Sequence, residues 1–197
     1  RRFSEPEWLL RFGSRGAANL LEARDGAIWF GCPDRGFYPG AYRLDGKTLW
    51  KMGKEEGLLD EPVLAIAETS DGVIWLGTET TLSIFNGTTV VNYTREDGIS
   101  GVANVHIADI FVDADDVLWC AGTGLSRFDP NGLTSFARRD GVRSLREGGT
   151  AGVMEIERDS GKNFWIGTGH SGAFRTDGMK LEAPVLEKHM ITKIHRA

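Results

Sequence analysis

Short runs of alternating hydrophobic and polar residues recur four times along the chain, each leading to a tryptophan with hydrophobic neighbours. The four tryptophans are separated by 46, 44 and 46 residues and are Trp29, Trp75, Trp119 and Trp165. An aliphatic residue stands nine positions before each of them, and another apolar residue stands twelve positions before. Two offsets that hold in all four copies without a gap indicate an internal repeat.

Turn residues divide each period into four short strands. Asp-Gly pairs at Asp25-Gly26 and Asp71-Gly72 precede the tryptophan strand, and such pairs accept the positive φ of a tight hairpin. Further turns fall at Asn86-Gly87 and Asn131-Gly132, and each is followed by another β-rich run. No apolar stripe is sustained at helical spacing. Each period therefore predicts a four-stranded antiparallel meander, with strands a to d.

A period of about 45 residues with four strands is typical of a β-propeller blade. We predict an all-β fold, a β-propeller with four complete four-stranded antiparallel blades at approximately 17–60, 61–102, 103–147 and 148–190. Strands at 5–16 and 191–197 are predicted to belong to partial blades at both ends, so that 1–197 is a single partial propeller. A fragment of a larger ring is the preferred interpretation. The alternative is that the terminal strands combine into a closing blade.

The repeat tryptophans are predicted to have a structural role. A tryptophan on strand b fills the gap between neighbouring blades, where one aromatic side chain buries about 150–250 Å². The two cysteines, Cys32 and Cys120, stand at different offsets from their nearest tryptophans. The two cysteines are therefore not expected to occupy equivalent positions in their repeats. Both are predicted to be free thiols that pack as small hydrophobic residues.

The composition is that of an ordinary globular protein, with 41% hydrophobic and 26% charged residues among 197. The net charge of −5 and the lack of a basic stripe argue against a nucleic-acid partner. No apolar run approaches the roughly 18 residues needed to cross a bilayer, so no membrane insertion by this segment is expected.

The second repeat, at 65–100, resembles the two-component regulator propeller repeat. The central motif of that repeat occurs as Trp75-Leu76-Gly77-Thr78 and Trp165-Ile166-Gly167-Thr168, and its next strand begins at Gly124-Leu125. Two departures stand in the third copy, where Ala121 replaces the motif glycine and Asp116 replaces the turn glycine. Neither departure conflicts with the fold.

The resemblance implies a role in signal transduction. Propellers of this family form the extracytoplasmic sensing part of membrane-bound hybrid histidine kinases. By this likeness the segment is a non-enzymatic sensor domain, placed on the periplasmic or extracellular face of a membrane-anchored parent protein that carries the kinase.

The search for catalytic, metal and cofactor sites identifies none. Residues 167–172 match Gly-x-Gly-x-x-Gly, but they lead into another strand rather than into a helix. No histidine has a partner at metal-ligand spacing, and the four are His106, His170, His189 and His195. The acidic run at 113–116 lacks the glycine and the closing glutamate of a calcium loop and is interpreted as a turn cap.

Binding residues are predicted where the repeat is interrupted. The b–c and d–a connections of a propeller emerge on one face, and loops on a rigid scaffold are where binding residues gather. Two irregular loops lie there, an insertion at 32–42 and a long d–a loop at 138–150. Their arginines and aromatic residues could bind a carbohydrate or an anionic ligand by stacking and hydrogen bonding. The alternative interpretation is that both loops are solvated and bind nothing. The predicted ligand-binding residues are Arg35, Phe37, Tyr38, Arg139 and Arg143.

Three functions are therefore compared for this chain. The leading one is a ligand-sensing or interaction propeller, whose partners are a carbohydrate or other small molecule, the remaining blades of the parent protein and, in solution, a second copy. A propeller enzyme resembling streptogramin lyase is the second. A structural propeller scaffold of a larger extracellular protein is the third.

Overall fold

The computed structural model describes ten segments of the chain: residues 2–3, 18–32, 39–59, 61–97, 107–122, 125–129, 132–136, 153–159, 163–168 and 172–176. Strands dominate these segments, and two single-turn 3-10 helices follow the d strands of the first two repeats, at Lys54–Glu56 and Arg95–Asp97. Within the described segments no helix is long and apolar enough to cross a membrane.

The strands form four antiparallel sheets, one for each repeat, which we name blades I to IV. Blade I contains β1 (Arg2–Phe3), β2 (Ala18–Glu22), β3 (Ile28–Cys32), β4 (Gly40–Asp45) and β5 (Thr48–Met52). Blade II contains β6 (Ala65–Glu68), β7 (Ile74–Gly77), β8 (Leu82–Phe85) and β9 (Val90–Tyr93). Blade III contains β10 (Asp109–Val112), β11 (Leu118–Ala121), β12 (Leu125–Asp129) and β13 (Gly132–Phe136). Blade IV contains β14 (Val153–Arg158), β15 (Phe164–Thr168) and β16 (Gly172–Thr176).

The predicted all-β propeller architecture is confirmed, since consecutive strands of each repeat pair as a meander. The first strands of successive blades contact one another, so the blades are arranged side by side. Blade I carries a strand that was not predicted, because β1 pairs antiparallel with β5 at its outer edge. The predicted fourth strand of blade IV and the terminal segments 5–16 and 191–197 lie outside the described residues. The blade number and the fragment interpretation therefore stay predictions.

The a–b turns adopt the predicted conformation. Gly26 and Gly72 both have a φ of 82°, in the left-handed region that glycine adopts without strain. Asp116 occupies the same turn position in blade III with a φ of 57°. Its carboxylate accepts hydrogen bonds from the Ser70 hydroxyl and, at 2.7 Å, from the Ser70 backbone N–H. Here the side chain that replaces a turn glycine links two blades.

The hydrophobic core lies between the blades, as the repeat tryptophans predict. Trp29, Trp75 and Trp119 expose 2%, 7% and 1% of their surface, and each packs in a cluster that includes residues of the following blade. Trp165 is only partly buried, and its indole N–H donates to Asp159 at 2.9 Å. The structural role is therefore confirmed for the first three tryptophans.

The aliphatic residue nine positions before each tryptophan is not equivalent in every blade. Ile66, Ile110 and Ile156 are buried against the preceding blade, whereas Leu20 is 70% exposed. A register irregularity lies between Ala18 and Leu20 in the pairing of β2 with β3. The repeat offset alone could not predict this difference.

Cys32 and Cys120 are both buried free thiols, as predicted. Burial, with a smaller contribution from the negative charge of Asp109, raises the pKa of the Cys120 thiol to about 12. A thiol in the unfolded chain ionises near the ordinary value of 9.0. Because the unfolded state loses its proton first, the contribution of Cys120 to stability is complete below that value and is lost as the pH rises above it.

Cys120 is expected to be inert toward thiol reagents in the folded protein. In a Cys32→Ala background, where Cys120 is the only thiol, we expect no reaction with Ellman's reagent at about pH 8. Complete reaction is expected once urea unfolds the chain. Fast stoichiometric labelling of the folded protein would contradict the burial described here.

Candidate functional site

The predicted ligand-binding residues Arg35, Phe37, Tyr38, Arg139 and Arg143 all lie outside the described residues. The same is true of all four histidines. Their prediction as binding or non-binding residues is therefore neither confirmed nor contradicted.

The described part of the predicted loop face contains a compact polar network. Thr78, the threonine of the repeat motif, is fully buried and donates its hydroxyl to Glu61 at 2.5 Å. The Thr80 hydroxyl and its backbone N–H donate to the same carboxylate, the latter at 3.1 Å. Thr78 also accepts the backbone N–H of Thr81 at 2.9 Å. This network ties the b–c turn of blade II to its incoming d–a connection, which explains the motif threonine as a structural residue.

A cleft of about 660 Å³ opens between blades I and II on the other face. Its walls include Asp25 and Asp45 from the a–b and c–d turns of blade I, and Gly72 and Gly87 from the same turns of blade II. In an antiparallel meander the b–c and d–a connections emerge at the opposite end of the strands. The cleft therefore lies on the face opposite to the predicted ligand loops.

Three aromatic side chains form the apolar part of the cleft. The rings of Trp29 and Trp50 meet edge to face with centroids 6.0 Å apart. Phe85 of blade II lies 5.9 Å from Trp29 and 5.7 Å from Trp50. Trp29 is buried, whereas Trp50 and Phe85 are partly buried and keep some surface in contact with the cleft. A planar or apolar ligand group would find a stacking surface here.

Charged side chains form the rim of the cleft. Arg43 reaches two carboxylates of its own blade, Asp25 at 2.7 Å and Asp45 at 3.0 Å. Glu68 of blade II accepts the backbone N–H of Arg24 at 2.9 Å and thereby links the two blades. Three carboxylates and one guanidinium group line the cleft, and Arg2 lies opposite Trp50 in the pairing of β1 with β5.

Gly72 lines the cleft and leaves open space where a side chain would stand. A Cβ atom at Gly72 would approach nothing closer than the Glu68 carboxylate, at 4.0 Å. At the next blade boundary the equivalent residue is Asp116, whose side chain extends to Ser70 of the preceding blade. The equivalent backbone N–H of Arg24 at the first boundary is instead bound by Glu68, so the two boundaries are bridged by carboxylates from different positions.

The Arg43 guanidinium that hydrogen bonds to Asp25 lowers the pKa of Asp25 below its ordinary value, and the Ala27 N–H acts in the same direction. The same hydrogen bond raises the pKa of Arg43. Because the folded pKa of Asp25 is depressed, the stability that this pair contributes is present above the ordinary value of 3.8. It is lost as the pH falls through the folded pKa.

Replacing Arg43 is expected to restore an ordinary acidity to Asp25. In Arg43→Gln, the pKa of Asp25 should rise toward its ordinary value, because the largest cause of its depression is removed. Carbon NMR of the side-chain carboxyl, followed against pH, measures this directly. Arg127→Gln is the control, since Arg127 pairs with Asp129 in blade III. An Asp25 pKa that is the same in Arg43→Gln as in the unaltered protein would show that the ion pair does not persist in solution.

No group of three or more His, Cys, Asp or Glu residues in the described segments is placed to hold a metal ion.

The sequence did contain one signal for the cleft, which the repeat comparison missed. Trp50 is a tryptophan outside the repeat positions, on a d strand whose equivalent in blade II carries Val91. Its partners across the blade boundary could not be found from the sequence of one blade.

The comparison with protein families confirms the resemblance noted in the second repeat. The model of the two-component regulator propeller family matches residues 57–80. These residues contain the d–a connection, the first two strands of blade II and the Gly77-Thr78 motif. Among curated proteins, none matches the sequence of this chain.

Solved structures with the same fold include two extracellular domains from B. thetaiotaomicron. One, described as belonging to a hybrid two-component system, is 20% identical with a TM-score of 0.64 over 81% of this chain and 21% of that domain. The other, described as belonging to a one-component system, is 19% identical with a TM-score of 0.65 over 91% of this chain and 23% of that domain. The chain thus spans about a fifth to a quarter of their length.

A third similar structure is an enzyme. It is a catalytically inactive variant of virginiamycin B lyase from Staphylococcus aureus with quinupristin, 14% identical with a TM-score of 0.66. The match covers 92% of this chain and 58% of the lyase. At these identities the likeness to solved structures shows the propeller fold alone.

Proposed function

We propose that this chain, which carries a two-component regulator propeller repeat, is part of the ligand-sensing propeller of a two-component sensor. The observation that carries the proposal is the family match at 57–80. The likeness to extracellular domains of two-component and one-component systems supports it. The segment acts by binding rather than by catalysis, on the extracytoplasmic side of a membrane-anchored parent protein.

The ligand is proposed to bind on the face of the b–c and d–a connections. Two features support this placement. The insertion between β3 and β4 and the long connection between β13 and β14 depart from the repeat on that face. The Glu61–Thr78 network of blade II gives this face a rigid support, because buried hydrogen-bonded side chains hold the b–c turn in place. The proposed contact residues remain Arg35, Phe37, Tyr38, Arg139 and Arg143.

The test is a thermal-shift screen of the chain against neutral and acidic oligosaccharides and divalent metals. A ligand that binds only the folded state raises the melting temperature, and the shift grows with the logarithm of ligand concentration above Kd. We expect a sugar to stabilise the protein without added metal, and expect Arg35→Ala and Arg139→Ala to abolish that shift. Lys47→Ala, at an exposed residue in the c–d turn of blade I on the opposite face, should leave it intact. A shift that the two arginine variants retain would refute the proposed site.

A propeller lyase is the second candidate, favoured by the likeness to virginiamycin B lyase over 92% of this chain. Such an enzyme would need a histidine and a carboxylate on the ligand face together with a metal ion. Stabilisation that depends on a divalent metal, together with conversion of quinupristin to a new product in mass spectrometry, would replace the sensor proposal by this one.

A further inference from the structure

We propose that the cleft between blades I and II is a binding site for an organic ammonium cation. This inference goes beyond the sensing function, because it concerns the face opposite to the predicted ligand loops and a ligand of positive charge. It is carried by the aromatic surface of Trp50 and Phe85 and by the acidic rim above it.

The rim favours a cation because its hydrogen-bonding groups are mainly acceptors. Arg43 directs Nη1 to Asp45 and Nη2 to Asp25, so its positive charge is balanced within the rim. Glu68 adds a further carboxylate from the opposite wall. Carboxylates thus outnumber guanidinium groups among the lining residues, which favours a cation over an anion, and this effect weakens as salt screens the exposed carboxylates.

The aromatic surface selects an alkylated ammonium group over an inorganic ion. A cation over the face of a tryptophan is attracted by the ring quadrupole, and methyl groups on nitrogen add apolar contact. Trp50 is partly buried, and contacts with Trp29 and Phe85 hold its ring. The cleft volume of about 660 Å³ is ample for a small organic cation.

The other blade boundaries provide an internal comparison. At the boundary between blades II and III, the strand register places Ile84 where Arg43 stands and Val91 where Trp50 stands. Val91 is 49% exposed and offers no stacking surface, although Trp75 and Phe128 still meet there with ring centroids 5.5 Å apart. Blade III repeats the arginine–aspartate pair with Arg127 and Asp129, and it places Thr134 where Trp50 stands. Trp50 is therefore the residue that distinguishes the first boundary from the other described ones.

Choline is the probe, and 3,3-dimethylbutan-1-ol is its uncharged isostere. We expect choline to bind the chain saturably in calorimetry at low salt, and the isostere to bind at least about fivefold more weakly. Trp50→Val, which introduces the blade II residue, should weaken choline binding about tenfold. Asp45→Asn, at a side chain that is 67% exposed, should weaken it about threefold and keeps the test valid if Trp50→Val does not fold. Val91→Ala is the matched control and should change nothing.

Three results would overturn the proposal. The first is the absence of saturable choline binding, and the second is equal binding of choline and its isostere. The third is choline binding that stays unchanged in both Asp45→Asn and a folded Trp50→Val. Methyl glucoside is included as a neutral sugar, and its binding in the cleft in preference to choline would assign the site to carbohydrate instead. None of these results affects the sensing proposal, which depends on substitutions on the other face.

Discussion

Gly31→Ala is expected to destabilise the protein by about 3 kcal/mol or more, through a steric conflict between blades. Gly31 has no positive φ, so the glycine is required for space rather than for conformation. A Cβ atom there would lie 2.1 Å from the backbone oxygen of Val63. That oxygen belongs to the connection that enters blade II, so the blades must move apart to accept a methyl group. Urea unfolding followed by circular dichroism measures the loss.

Two further substitutions make the Gly31→Ala result specific. In Gly53→Ala the new methyl group would first meet the flexible end of Lys51 at 3.4 Å, so we expect little change. Gly77→Ala should rank between them, since its Cβ would lie 2.5 Å from Cγ2 of Ile107. If Gly31→Ala were no more costly than Gly53→Ala, the close contact between the first two blades would be wrong.

Trp119→Ala is expected to cost about 3–5 kcal/mol of unfolding free energy, a large fraction of the roughly 5–15 kcal/mol typical of a folded domain. Trp119 is 1% exposed and packs between blades III and IV, with its ring centroid 4.5 Å from that of Phe164. Its removal leaves a cavity lined by Leu125 and Ile156 that neighbouring strands cannot fill. The same urea titration measures this loss.

Trp165→Ala is the natural comparison, because it makes the same substitution at the same repeat position. Trp165 is only partly buried, so we expect a clearly smaller loss. Trp119→Phe should recover part of the stability, since an aromatic ring remains in the cluster. Equal costs for Trp119→Ala and Trp165→Ala would mean that burial between blades does not determine the role of these residues.

The repeat pattern was sufficient to predict the strands and turns of this protein. Asp25-Gly26 and Asp71-Gly72 form turns with positive φ at their glycines, and three of the repeat tryptophans are buried between blades. These features depend on nearby residues or on one spacing repeated four times. The position of Asp116 was also recognised from the sequence, but its hydrogen bonds to Ser70 were not, because Ser70 lies 46 residues earlier in another blade.

The two candidate sites also show that sequence patterns do not reveal contacts between blades. The predicted loop residues were chosen because they interrupt the repeat, and a ligand for them stays a prediction. The cleft, in contrast, combines Arg43 and Trp50 of one blade with Glu68 and Phe85 of the next. Only Trp50 stands out within its own repeat, as a tryptophan outside the repeat positions. Spacing analysis could not find the site, because its walls come from two different blades.

The sequence by itself determined the fold class, the meander of the described strands within each blade and the burial of three of the four repeat tryptophans, since these follow from local turn chemistry and a regular period. Only the tertiary structure decided how each blade contacts the next. It placed Val63 against Gly31, left Leu20 exposed and opened a charged cleft beside Gly72. The physical reason is that these properties depend on distances between residues of different sheets, and the repeat period specifies only which positions are equivalent.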